Sequence, residues 1–168
     1  SFFEEVKKQL NLFIVGVGNV GKRLLEQIQQ QQSYFSAQLR MQIRVTGIAN
    51  SRKMYFNEEG IDLANWESLL EHGKPQTSSE LVQTMVQKNL RNSVFVDVTA
   101  SAMVADLYPT ILAKSIAVVA CNKIAASAVF DKYRNLKQLA REFNTNFLFE
   151  TNVGAGLPVI GTLNDLVK

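Results

Sequence analysis

The apolar run Leu12-Phe13-Ile14-Val15 leads straight into Gly16-Val17-Gly18-Asn19-Val20-Gly21, and an amphipathic stretch over 22–32 follows at once. No other feature of the chain restricts its fold so strongly. G-x-G-x-x-G alone is a weak signal, because glycines are common in turns. Here it stands between an apolar strand and a helix that sets Leu24, Leu25 and Ile28 on one face, the context of a first βα turn in a dinucleotide-binding unit. Each glycine then has a task. Gly16 permits the tight turn, Gly18 lets the backbone approach a pyrophosphate with no Cβ between, and Gly21 lets the helix lie close to the strand. The helix start offers free N–H groups and the positive end of its dipole to phosphate.

Short apolar runs and helical stretches alternate through the rest of the chain. Strands are expected over 43–49, 94–98, 116–120 and 146–150. A short helix is expected over 62–71, with Asp62 as N-cap, Gly73 as stop and Leu63, Trp66, Leu69 and Leu70 facing inward. A second is expected over 79–90, capped by Ser78 or Ser79. The helix over 103–114 should be disturbed at Pro109. Longer helical patterns cover 125–143 and 157–167, and the glutamines 29–32 read as the end of the first helix. Strands alternating with helices, and apolar along most of their length, specify an α/β fold: a Rossmann-type, doubly wound, mainly parallel sheet with helices on both faces.

The 168 residues fit a single domain, and 46% hydrophobic content suffices for an ordinary core. A net charge of +3, with the basic residues scattered, carries no nucleic-acid motif. No apolar run approaches the ~18 residues that span a bilayer, so no membrane partner is expected. Residues 1–10 mix acids with lysines and do not read as a signal peptide. Cys121 is the lone cysteine, which excludes an internal disulfide and favours a reducing, cytoplasmic setting. It reads as packed and inert. His72 is the lone histidine, best explained by a helix end before Gly73, and with no Cys/His cluster a zinc site is not expected.

Domains that prefer NAD usually carry Asp or Glu at the end of the second strand, bonded to the ribose 2′-OH. This one ends Ile48-Ala49-Asn50-Ser51-Arg52-Lys53, with no acid. Arg52 and Lys53 suit a 2′-phosphate, and NADP is therefore favoured over NAD. The competing reading is two solvated loop cations. Ligands of such sheets gather outside the strands' carboxyl ends. There, Thr99 and Ser101 either bond the cofactor or cap the following helix. Lys123, just after a buried strand, either orients a carbonyl near the nicotinamide or is a solvated lysine. Glu150, ahead of the glycine-rich turn 151–156, is a candidate cation site, because a carboxylate with backbone carbonyls suits a hard ion.

Taken in order, Phe13-Ile14-Val15-Gly16-Val17-Gly18-Asn19-Val20-Gly21, Val45-Thr46-Gly47-Ile48-Ala49-Asn50-Ser51, Asp62-Leu63-Ala64-Asn65-Trp66, Asn122-Lys123 and Glu150-Thr151-Asn152-Val153-Gly154-Ala155-Gly156-Leu157-Pro158 resemble homoserine dehydrogenase. The dehydrogenase portion of bifunctional aspartokinase/homoserine dehydrogenases is the nearest likeness, and the final motif is far more specific than the glycine loop. The resemblance implies an NAD(P)-dependent oxidoreductase that interconverts L-aspartate 4-semialdehyde and L-homoserine, in threonine and methionine synthesis. It implies a homo-oligomeric parent with small-molecule partners. It assigns Lys123 to the active site and a sodium ion to the Glu150 carboxylate with the carbonyls of Val153, Ala155 and Leu157. Asn19 and Val20 would join Gly16, Gly18 and Gly21 on the cofactor, together with Ala49 and Thr99.

In that family a substrate-binding domain follows the T-N-V-G-A-G-L-P turn and carries the substrate carboxylate ligands and a second lysine. Residues 1–168 are thus expected to be a cofactor-domain fragment, without turnover by itself. Two readings compete: the cofactor domain of another amino-acid dehydrogenase, such as aspartate-semialdehyde dehydrogenase, and a non-catalytic NAD(P)-binding module.

Overall fold

The computed structural model describes residues 8–121, 130–150, 162, 163, 165 and 166. Its architecture follows from the first strand, β1 (Lys8–Val15), and the two helices after it, α1 (Asn19–Gln30) and α2 (Gln32–Gln38). Successive side chains of a strand point to opposite faces. Leu10, Leu12 and Ile14 of β1 accordingly join Leu24, Leu25 and Ile28 of α1 and Phe35 of α2 in one core. Phe13 and Val15 enter a second core on the other face. There they meet Leu81, Val82 and Met85 of α4 (Ser78–Lys88) and Tyr108, Ile111 and Leu112 of α6 (Tyr108–Leu112). A strand buried on both sides has no use for alternation, which is why β1 reads as a continuous apolar run. Burying each such large side chain contributes roughly 1.5–3 kcal/mol.

The sheet has seven strands among the described residues, in the order β4-β3-β2-β1-β5-β6-β7. The strands β2 (Met41–Ala49), β5 (Ser93–Asp97), β6 (Ala117–Ala120) and β7 (Phe147–Phe149) extend the sheet in parallel from β1. This is the expected Rossmann-type arrangement, with two additions. β3 (Lys53–Phe56) turns back antiparallel on β2, and β4 (Lys74–Pro75) pairs antiparallel with β3. Both are short, and Pro75, which has no N–H to give, sits on the sheet's edge strand as it must. The β1–β2 register slips between Leu12 and Phe13. Thr46, skipped there, is fully buried and donates its hydroxyl to the Leu12 carbonyl at 3.3 Å.

Several helix ends differ from expectation. α3 (Trp66–Glu71) starts later than residue 62, because Asp62 spends its carboxylate on a turn: Oδ1 accepts from the Ala64 N–H at 3.1 Å and Oδ2 from the Asn65 side chain at 2.7 Å. Leu70 is buried, and Leu63, Trp66 and Leu69 pack against the first core, as expected. α4 is capped neither by Ser78 nor by Ser79 but by Thr77, whose hydroxyl accepts the Glu80 N–H at 3.1 Å. The Pro109 expectation holds. The region divides into α5 (Ala102–Ala105) and α6, and the proline stands in the first turn of α6, where no N–H is needed. α2 was not foreseen; its only buried residue is Phe35, too little for a helical period. α7 (Phe130–Glu142) falls within the expected 125–143 helix. Residues 122–129 and most of the expected 157–167 helix lie outside the described residues. No helix among the described residues is long and apolar enough to cross a membrane.

Candidate functional site

From β1 the chain moves outward to β2 on one side, then returns to lay β5 against the other side of β1. Such a reversal opens a crevice at the carboxyl ends of the two strands. Here Val15 stands in register with Asp97, and the Val98 N–H donates to the Val15 carbonyl at 2.9 Å. The Gly16 N–H donates to the Ala49 carbonyl at 2.8 Å, so the glycine loop is moored to both neighbouring strands. Above this junction lies a cavity of about 550 Å³. The segment from Val15 to Gly18 forms its floor. Val98, Thr99, Ser101, Met103 and Val104 form one wall, and Asn50, Ser51, Gln76 and Ser78 the other.

The three glycines of the loop meet different surroundings. Gly16 has φ +101°, a left-handed conformation, and a Cβ built on it would lie 2.8 Å from the Thr99 methyl and 2.8 Å from the Val98 carbonyl carbon. A Cβ on Gly21 would lie 2.5 Å from the Gly16 carbonyl oxygen, which ties α1 closely to the loop. A Cβ on Gly18 would meet nothing within 4 Å. Gly18 thus has no packing reason to be glycine, and the space a Cβ would enter is space a ligand backbone can use. Gly18 is also the N-cap of α1, with no side-chain cap and no acid in the helix's first turn. The first N–H groups of a long helix are therefore directed at a site suited to an anion. Asn19 and Val20 are exposed at this helix start.

At the end of β5, Asp97 is fully buried. It accepts the Tyr108 hydroxyl on Oδ2, and both the hydroxyl and the backbone N–H of Thr99 on Oδ1, at 2.6 and 2.8 Å. Thr99 Oγ1 in turn accepts from the Ser101 N–H at 3.2 Å, and Ser101 Oγ caps α5 through the Val104 N–H at 3.3 Å. Of the two roles expected as alternatives, the cap is the one observed, at Ser101, and both residues line the cavity.

At the end of β2, Ala49 is buried in the second core, outside the cavity lining. Asn50 Oδ1 accepts the N–H groups of Arg52 at 2.8 Å and Lys53 at 2.7 Å. Arg52 is exposed beyond the rim; Lys53 is half-buried and opens β3. Sequence reasoning missed Asn50, Gln76, Ser78 and Met103 as lining residues. Asn50 had a local signal, a turn-forming asparagine directly after a strand. Gln76 had none, because its place beside Asn50 depends on the unforeseen pairing of β4.

Past β6, Cys121 is buried, and its N–H donates to the Asp97 carbonyl at 2.8 Å. Burial, then the charges of Asp97 and Glu150, push the thiol from 9.0 up to about 12. Glu150 follows β7; its N–H donates to the Ala120 carbonyl at 2.9 Å, and its Oε2 accepts the Thr162 hydroxyl at 3.4 Å. Among the described residues, no group of three or more His, Cys, Asp and Glu could hold a metal. Lys123, Val153, Ala155 and Leu157 lie outside the described residues. His72 ends α3 with Nδ1 at 2.8 Å from the Ser68 carbonyl, a helix-terminal role remote from the cavity lining.

Residues 16–150 match the family model described as homoserine dehydrogenase, NAD binding domain. The bifunctional aspartokinase/homoserine dehydrogenase of Haemophilus influenzae is 40% identical over 96% of this chain, and a chloroplastic one from Arabidopsis thaliana is 38% identical over 92%. These alignments take in 20% and 17% of those proteins. The homoserine dehydrogenase of Schizosaccharomyces pombe is 32% identical over 96% of the chain and 43% of its own length. The chain thus spans about a fifth of the length of the bifunctional relatives. Among solved structures, a hyperthermophilic archaeal homoserine dehydrogenase in complex with NADPH superposes with a TM-score of 0.70 at 26% identity, over 92% of this chain and 48% of that one. A crevice built to receive a dinucleotide, and a family match that runs from the first glycine of its floor to the carboxylate after β7, lead to one conclusion: this chain belongs to the homoserine dehydrogenase family, as its NAD-binding domain.

Proposed function

We propose that this chain forms the cofactor side of an enzyme that interconverts L-aspartate 4-semialdehyde and L-homoserine, and that it takes NADP in preference to NAD. The observation that carries the cofactor preference is the end of β2, where Asn50 and Ser51 line the cavity and lead, with no acid, into Arg52 and Lys53, whose N–H groups Asn50 holds. Two cations suit a 2′-phosphate, and no carboxylate stands there to accept a ribose 2′-OH. The NADPH bound by the archaeal relative supports the same choice.

The residues divide the work along the crevice. Gly16, Gly18 and Gly21, with the N–H groups of Asn19 and Val20 at the start of α1, hold the pyrophosphate. Thr99 and Ser101, on the cavity wall at the end of β5, would hold the nicotinamide end of the cofactor and orient it for transfer. The bound cofactor supplies the hydride. Lys123 holds the substrate oxygen and neutralises the negative charge that develops on it. Glu150, with the carbonyls of Val153, Ala155 and Leu157, holds a sodium ion, consistent with an oxygen-only donor set suited to a hard cation. The lone, buried cysteine fits a reducing, cytoplasmic setting. An aspartate-semialdehyde dehydrogenase would need a nucleophilic thiolate, and Cys121, buried and pushed up to about 12, does not provide one.

Fluorescence titration of the chain with NADPH and NADH tests the cofactor assignment. Tighter NADPH binding that is lost in Arg52→Ala supports it; equal binding of the two, or an unaffected Arg52→Ala, rejects it. In the complete enzyme, Lys123→Ala should depress kcat, and wild-type kinetics there would remove Lys123 from the mechanism.

A further inference from the structure

The hairpin turn between β2 and β3 is held at both ends by side-chain amides. Asn50 Oδ1 accepts the N–H groups of Arg52 and Lys53, and the Asn50 N–H donates to the Lys53 carbonyl at 3.0 Å. From the sheet edge, Gln76 donates its side-chain Nε2 to the Asn50 carbonyl at 3.3 Å and its backbone N–H to the Arg52 carbonyl at 2.9 Å. Asn50 and Gln76 both line the cavity. The backbone that carries Arg52 and Lys53 is thus clasped from two sides by residues that themselves face the ligand space.

We infer that Asn50 is a specificity-determining residue, which positions the Arg52–Lys53 turn through its carboxamide oxygen while keeping the cavity wall uncharged beside it. This rests on the NADP reading above and deepens it. At the end of the second strand, a carboxylate would accept the same two N–H groups, since it too offers an oxygen at that position. It would also set a negative charge next to a doubly charged 2′-phosphate. Asparagine is the residue that retains the turn without that charge. The oxygen committed to the Arg52 and Lys53 N–H groups is not offered to a ribose hydroxyl, so the wall presents no acceptor of the NAD type there. The sheet edge formed by β3 and β4 then has a functional reason: it brings Gln76 to the far side of the turn and fixes its second strand.

Two substitutions separate positioning from charge. Asn50→Asp keeps the acceptor and adds the charge. Asn50→Ala removes the acceptor and adds no charge. Amide hydrogen exchange of Arg52 and Lys53 is read without any cofactor. It should be unchanged in Asn50→Asp and about tenfold faster or more in Asn50→Ala. NADPH and NADH titrations are read in parallel. Asn50→Asp should weaken NADPH by about tenfold or more while NADH holds or improves. Asn50→Ala should weaken NADPH without favouring NADH. Wild-type exchange rates in Asn50→Ala overturn the positioning role, and an unchanged NADPH-to-NADH ratio in Asn50→Asp overturns the discrimination. A wild-type chain that binds NADH as tightly as NADPH instead defeats the NADP reading itself, and the exchange result still stands as a separate test of the clasp.

Discussion

Asp97 and Thr99 are joined twice: the same carboxylate oxygen accepts the Thr99 hydroxyl at 2.6 Å and the Thr99 backbone N–H at 2.8 Å. The Thr99 methyl then faces the glycine loop closely enough that a Cβ on Gly16 would lie 2.8 Å from it. A buried acid thereby sets the distance between the two strand ends that floor and wall the crevice.

Asp97→Ala should cost about 2–3 kcal/mol or more, because it removes the buried carboxylate that accepts the Tyr108 hydroxyl and both Thr99 donors. Asp97→Asn should cost less, since one oxygen can still serve Thr99, while Tyr108→Phe removes the hydroxyl's bond to the carboxylate and should cost about 1 kcal/mol. Urea denaturation gives the ranking. If Asp97→Ala unfolds at the wild-type midpoint, the carboxylate does not hold this junction.

Cys121 should titrate late. Its folded-state thiol is pushed above the ordinary 9.0 to about 12, so the native state holds the proton more tightly than the unfolded chain. That preference is fully present below pH 9 and is lost as pH rises through about 12. Iodoacetamide at pH 8–9 should therefore leave the native chain unmodified and alkylate it readily in urea. Rapid native alkylation would place the thiol in solvent and reopen a nucleophilic role for it.

The glycine loop, the central strands and the polar strand ends were legible because each rests on local sequence: a period, a run or a glycine count. What sequence did not reveal depends on contacts between distant residues. β3 and β4 are short antiparallel additions to the parallel sheet: β3 has four residues, too few for a readable period, and β4, the edge strand, has only Lys74 and Pro75, both exposed. Once they are missed, Gln76 cannot be placed, since its partner Asn50 lies 26 residues away. The cap of α4 failed for another reason. Thr77, Ser78 and Ser79 are all competent caps, and only the extended backbone at Thr77 decides among them.

That decision is open to measurement. Thr77→Ala should destabilise the chain by about 1 kcal/mol, because the Glu80 N–H loses its acceptor. Ser79→Ala, already inside the helix, should change stability by less than about 0.5 kcal/mol. Thermal melts of the two proteins compare them directly, and the reverse order would return the cap to the serine.

The three loop glycines should fail in different ways, and that difference is the sharpest test of the crevice. Alanine at Gly16 is opposed by its positive φ and by backbone at 2.8 Å; the backbone strain alone is of order 1–3 kcal/mol, so the melt itself should shift down. Alanine at Gly21 meets a carbonyl oxygen at 2.5 Å and must push α1 off the loop, lowering stability and binding together. Alanine at Gly18 meets nothing within 4 Å on extended backbone; the loss of unfolded-state freedom, about 0.4–1 kcal/mol, is opposed by alanine's poorer N-capping of α1, so stability should change little. Its methyl nevertheless occupies the space in which the pyrophosphate is proposed to lie. Gly18→Ala should thus melt close to wild type, well above Gly16→Ala and Gly21→Ala, yet lose NADPH binding in the fluorescence titration. If it binds NADPH normally, the phosphates do not pass over Gly18, and the floor of the site has to be sought elsewhere along the crevice.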